Sequence, residues 1–128
     1  MIDAIVDTSV LIARETGRSV DIRSLPDGLA VSVITIGELR SGVLAADNVE
    51  TRDRRLSTLL GALSLDPLPV DALVAEAWAR LHQELRVRRR RMPVNDSWIA
   101  ATAIAHGVPV VTQDDDYADV PGLAVVRV

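Results

Sequence analysis

The chain has 128 residues, 48% of them hydrophobic, a net charge of −4 and no cysteine. That length fits one domain, residues 1–128, able to bury roughly two-thirds of its unfolded surface without staples. The missing cysteine excludes disulfides, thiolate catalysis and Cys-ligated zinc, and points to the cytoplasm.

All 14 basic residues are arginine, so no lysine-dependent mechanism is open. The start, Met1 to Asp7, has no basic stretch and carries two Asp, which is not the pattern of a signal peptide. No apolar run reaches the ~18 residues of a membrane span.

Residues 2–6 read as a short buried strand ending at Asp7, and residues 8–14 as a turn or two of helix. Gly17 and Pro26-Asp27-Gly28 punctuate the next stretch, before a second strand over 29–32. Residues 36–46 read as a helix entered through Thr35, with Glu38 three positions on. Leu56, Leu59, Leu60 and Leu63 keep the spacing of an amphipathic helix. Residues 64–70 contain Pro67 and Pro69 and suit an edge strand and turn, because proline cannot serve in a central ladder. Val74, Trp78, Leu81 and Leu85 mark another helix that runs into an arginine cluster and is closed by Pro93. Asn95 is placed to cap a helix from Asp96 to His106 that stops at Gly107. Residues 109–112 and 123–126 read as the last strands. Continuous apolar strands alternating with helices predict a parallel sheet covered on both faces, an α/β fold.

Acidic residues recur at one kind of place. Asp7 follows the first strand, Glu38 opens the helix after the second, Asp96 opens the apolar helix, and Asp114, Asp115 and Asp116 follow the next strand. Each also has a structural reading. Asp7 fits an N-cap, Thr35-x-x-Glu38 a capping box, Asp96 a first helical turn, and the Asp run a solvated turn. As a set they share the edge of a parallel sheet where strands end and helices begin, the place where ligands bind in such folds. Clustered carboxylates raise one another's pKa unless a cation is present. Oxygen ligands with no cysteine and no suitable histidine pair favour Mg²⁺ or Mn²⁺ over zinc. A site of that kind serves phosphate chemistry.

Four segments carry a family likeness: Val6-Asp7-Thr8-Ser9; Ser32 to Gly42 with Glu38-Leu39-Arg40; Asn95-Asp96-Ser97-Trp98-Ile99-Ala100-Ala101-Thr102-Ala103; and Val111-Thr112-Gln113-Asp114-Asp115-Asp116-Tyr117. Together they resemble a PIN domain, and among PIN domains the VapC toxins of toxin–antitoxin pairs. The resemblance runs from Ile5 to Leu123. It implies a three-layer α/β/α fold, divalent-metal cleavage of RNA, homodimerisation and neutralisation by a VapB-type antitoxin. It places Asp7, Glu38, Asp96 and Asp114 at the catalytic acids, with Asp7, Asp96, Asp114 and Asp116 as metal ligands. Thr8, Ser9 and Thr112 match hydroxyls beside the metal or substrate. Tyr117 stands where phenylalanine is commoner, on what reads as an apolar contact. Asp115 has no counterpart.

Arg86 and Arg88, Arg89, Arg90 and Arg91 suit either a solvated helix end or contact with an RNA backbone. His106 before Gly107 reads as a helix-terminal residue and His82 as surface, which leaves no histidine pair for acid–base catalysis. Trp78 and Trp98 read as core or dimer contacts. Two enzyme-like alternatives lose ground. A phosphoacceptor receiver module needs a lysine after its last strand. A haloacid-dehalogenase-like phosphatase needs Asp-x-Asp after the first strand, where this chain has Asp7-Thr8-Ser9. A catalytically inactive RNA- or protein-binding PIN-like domain has no need of an intact acid set. The reaction expected is hydrolysis by an activated water, leaving 5′-phosphate and 3′-hydroxyl ends, with Glu38 orienting the water or acting as general base.

Overall fold

The computed structural model describes all 128 residues. Strand β1 (Ala4–Val6) leads into helix α1 (Thr8–Glu15), and β2 (Leu29–Ala30) into α2 (Val33–Leu44). Helices α3 (Val49–Leu63), α4 (Ala72–Val87) and α5 (Val94–His106) follow, then β3 (Val110–Thr112) and β4 (Val125–Arg127). Short 3-10 turns occupy Ile22–Ser24 and Asp115–Tyr117. The four strands form one parallel sheet in the order β2-β1-β3-β4, with Ile5 opposite both Ala30 and Val110.

Side chains of a strand alternate between its faces, and helices cover both. Ile5 and Val110 point to one face, where they pack with Ile99, Ala100 and Ala103 of α5 and Leu81 and Leu85 of α4. Ala4, Val6 and Val111 point to the other, with Val10 of α1 and Val31. Leu39 and Val43 of α2 join Leu59 and Ala62 of α3 in a third cluster. The result is the three-layer α/β/α arrangement. Gly28 starts the β1–β2 pairing, its carbonyl accepting from the amides of Asp3 and Ala4. A Cβ there would lie 2.4 Å from the Met1 carbonyl oxygen, so only glycine fits.

The strand order reverses between β1 and β3, which opens a crevice at their C-terminal ends. Helix α5 leads into β3, so it runs back across the sheet and its first turn lies over that same edge. Gly107, at φ +66°, ends it as expected.

Several boundaries differ from the sequence reading. Helix α2 begins at Val33 and is capped by Ser32, whose Oγ accepts from the Ile34 amide at 3.1 Å. Thr35 and Glu38 therefore form no capping box, and Glu38 is the sixth residue of the helix rather than its opening. Helix α3 starts at Val49, with the Asn48 side chain accepting from the Thr51 amide at 2.8 Å. Its first two turns carry mostly charged residues, so no apolar stripe marks them. Residues 64–70 contribute only a parallel bridge from Leu68 to Ser32. Helix α4 closes before Pro93, through Arg89 in the left-handed region at φ +54°. Pro93 takes the N-cap position of α5, which begins at Val94, so Asn95 lies inside the helix and is no cap.

Ile99 is fully buried between α5 and the sheet. Ile99→Ala is expected to cost about 2–5 kcal/mol, and Val94→Ala, on an exposed site, no more than about 0.5. Urea unfolding of the two variants measures the difference.

Candidate metal centre

Asp7 caps α1, with Oδ2 accepting from the Ser9 amide at 3.4 Å, so the expected N-cap role holds. Capping does not exhaust it. Asp7 is 2% exposed, and both carboxylate oxygens accept from side-chain hydroxyls. Thr112 Oγ1 donates to Oδ2 at 3.0 Å and Tyr117 OH donates to Oδ1 at 2.9 Å.

The Thr112 hydroxyl, its proton directed at Asp7, accepts from the Asp114 amide at 2.9 Å and lies 3.2 Å from Ser9 Oγ. Ser9 Oγ in turn accepts from the Gln113 amide at 3.1 Å. These bonds tie the start of α1 to the end of β3. Asp114 caps the 3-10 turn, Oδ1 accepting from the Asp116 amide at 3.4 Å.

Asp96, Asp114 and Asp116 are each half-buried, and each offers one carboxylate oxygen within 4.8 Å of the other two. Asp115, between two members of this group, turns outward to pair with Arg127. A 3-10 turn presents neighbouring side chains on different sides, which separates the three consecutive acids. Burial, then the charge of Asp7, then the hydrogen bond and charge of Asp116 and the charge of Asp114 push Asp96 from 3.8 up to about 7. Burial and the charges of Asp7 and Asp96 push the Tyr117 phenol well up, so it remains a donor.

Asp7 and Glu38 both stand outside the three-acid group, Asp7 near enough for its charge to act on Asp96. Glu38 Oε1 lies 2.8 Å from Thr8 Oγ1, which also lies 2.9 Å from the Oγ1 of buried Thr35. Thr8 thus links Glu38 to the loop that carries Asp7.

The arginine cluster divides. Arg86, Arg88, Arg89 and Arg91 are exposed, and Arg88 lies 3.9 Å from Glu84. Arg90 is half-buried and donates to the Asp116 carbonyl at 2.9 Å, which makes it a brace of the acidic turn. Arg127 donates to the Gln113 carbonyl at 3.2 Å and braces the other end. His106 ends α5 and His82 is exposed, as expected. The indole rings of Trp78 and Trp98 are half-buried and stack with centroids 4.5 Å apart, with His82 stacked on Trp78. Sequence reasoning missed the hydroxyl of Tyr117, the brace of Arg90 and the link through Thr35. The one available signal was Tyr117 itself, since a buried phenol hydroxyl usually finds a partner.

The PIN-domain profile matches residues 4–123. The chain belongs to the PIN-domain family. Its relatives place it in the VapC group of that family. It is 49% identical over 125 residues to Ribonuclease VapC4 of Mycobacterium tuberculosis, covering 98% of this chain and 96% of that one. It is 47% identical over 124 residues to Ribonuclease VapC5 of the same organism, covering 97% and 92%. The crystal structure of VapBC-5 from Mycobacterium tuberculosis, a member of the VapBC family of toxin–antitoxin systems, superposes with a TM-score of 0.91 at 41% identity over the whole of both chains.

Asp96 holds its proton in the folded state above the unfolded value, so folding takes up a proton between about pH 4 and 7. The stability contributed by this group is greatest at the acid end of that window and is lost as pH rises through it. Asp96→Asn is expected to make the metal-free protein's melting temperature fall less between about pH 5 and 8. A cation competes with that proton, so Mn²⁺ should raise the wild-type melting temperature more at about pH 8 than at about pH 6. Differential scanning fluorimetry across pH reads both.

Proposed function

We propose that this protein is a metal-dependent endoribonuclease toxin that hydrolyses RNA phosphodiester bonds and is neutralised by a cognate VapB-type antitoxin. The observation that carries the reading is the meeting of Asp96, Asp114 and Asp116 within 4.8 Å, beside buried Asp7, in a VapC-like chain. The donor set fits a hard cation: every ligand atom is a carboxylate oxygen, and burial together with the neighbouring acids disfavours the charge of Asp96 without one. Mg²⁺ or Mn²⁺ is the cation these oxygens favour. When bound, it supplies neutralisation of the phosphate charge and a lowered pKa for water.

Asp7, Asp96, Asp114 and Asp116 are the residues assigned to hold the cation. Thr8 engages Glu38 Oε1, and Oε2 is assigned to orient a water or take its proton. Thr112 and Ser9 keep the acids in place through the hydroxyl network. Attack by the ribose 2′-hydroxyl would need a side-chain base, and the histidines are badly placed for it. His106 lies ten residues from Asp96 along α5, about 15 Å at 1.5 Å per residue. His82 is stacked on Trp78 on the exposed side of α4.

Arg90 places the arginine cluster at the rim of the acidic turn, which supports contact of its exposed members with RNA phosphates. An antitoxin partner is supported by the likeness to VapBC-5. Homodimerisation rests on the family pattern. No helix is long and apolar enough to cross a membrane.

Asp7→Ala or Asp96→Ala is expected to abolish cleavage of RNA while circular dichroism stays native, and EDTA to silence the wild type. The products should carry 5′-phosphate and 3′-hydroxyl ends. Full activity in EDTA, or 2′,3′-cyclic phosphate ends, would overturn the hydrolytic reading. Replacing Arg86, Arg88, Arg89 and Arg91 with Gln is expected to weaken RNA binding at low salt. The slope of log affinity against log salt should fall by about 0.7 for each single-strand phosphate that the variant no longer neutralises. An unchanged slope returns these arginines to a solvated helix end.

A further inference from the structure

Tyr117 is the only tyrosine in the chain. Its ring is fully buried among Ile99, Ala100, Ala103 and Val120, so packing holds it in place. A ring that served packing alone would need no hydroxyl. This hydroxyl is buried and donates to Asp7 Oδ1 at 2.9 Å. On the other side of the same carboxylate, Thr112 Oγ1 donates to Oδ2 at 3.0 Å. Thr112 and Tyr117 are the two ends of the segment that carries Asp114 and Asp116. One stretch of six residues therefore presents two acids and clamps a third. A carboxylate held by a donor on each oxygen has a fixed plane, and its remaining lone pairs have fixed directions.

We propose that the Tyr117 hydroxyl is a positioning group for divalent-cation binding, fixing the Asp7 carboxylate against the Asp96–Asp114–Asp116 group. The proposal rests on the metal reading above and adds to it a residue that touches neither cation nor RNA. Groups that orient metal ligands commonly matter by 10–100-fold in affinity, and a single neutral donor belongs at about the lower end.

Isothermal titration of Mn²⁺ into the wild type and Tyr117→Phe tests it. The variant is expected to bind Mn²⁺ about tenfold more weakly, with a native circular dichroism spectrum. A second readout uses the lone tyrosine directly. With 3-fluorotyrosine at position 117, the ¹⁹F resonance should move as Mg²⁺ is added and saturate at the dissociation constant that calorimetry gives for Mg²⁺. If folded Tyr117→Phe binds Mn²⁺ as tightly as the wild type or more tightly, the positioning role falls and the metal reading stands. A ¹⁹F resonance unmoved at saturating Mg²⁺ overturns the role equally, and decides the matter if Tyr117→Phe does not fold. A wild type that binds neither cation removes the metal reading and this role with it.

Discussion

Asp7 leaves the central strand β1 with its carboxylate buried and a hydroxyl donor on each oxygen. A buried charge is tolerated only where such bonds replace the water it has lost. Much of the surrounding structure follows from that requirement. Thr112 must end β3 in register beside β1, which the parallel pairing of Val6 with Val111 provides. Tyr117 must lie under α5, and the 3-10 turn after Asp114 carries the chain there. The same turn brings Asp114 and Asp116 up to Asp96 and throws Asp115 out to Arg127.

Gathering these acids opposes stability, because each disfavours the charge of its neighbours. Burial first, and then the charges of Asp7, Asp116 and Asp114, raise Asp96 to about 7. The buried core on the two faces of the sheet, aliphatic except for Tyr117, acts against that loss of stability. Arg90 and Arg127 contribute from the rim, each donating to a backbone carbonyl of the acidic segment. Neither guanidinium pairs with the carboxylates of Asp96, Asp114 or Asp116. Such a cluster is suited to a cation from solution, whose binding then also stabilises the fold.

The arginine cluster divides between solvent and the acidic turn. Four exposed guanidinium groups and one committed to Asp116 lie within a single six-residue stretch. Under the proposed function, a phosphate backbone drawn to the exposed arginines would be brought alongside the acidic turn. The net charge of −4 hides this, because what a nucleic acid meets is the local field at the crevice and not the sum over the chain.

Local pattern in the sequence determined a good deal. Apolar runs such as Val110-Val111 and the spacing of Val74, Trp78, Leu81 and Leu85 reveal strand and helix, because burial imposes their periods directly. The order of those elements implies the parallel sheet, and strand ends followed by Asp7 and Asp114 imply the acidic edge. Tertiary structure decided the rest. Ser32 displaced Thr35 as a cap because the chain, paired to Leu68 at Ser32, turns into helix at Val33. Asp96 joined the other acids because α5 runs back across the sheet, a direction that its own residues do not encode. Asp115 was separated from Asp114 and Asp116 by one turn of 3-10 helix, and three identical letters carry no sign of that. Tyr117 reads in sequence as an apolar contact, and its hydroxyl gained a purpose only when folding set it 2.9 Å from an aspartate 110 residues away. Periodicity records which face of an element is buried; it does not record which distant side chain waits on the other side.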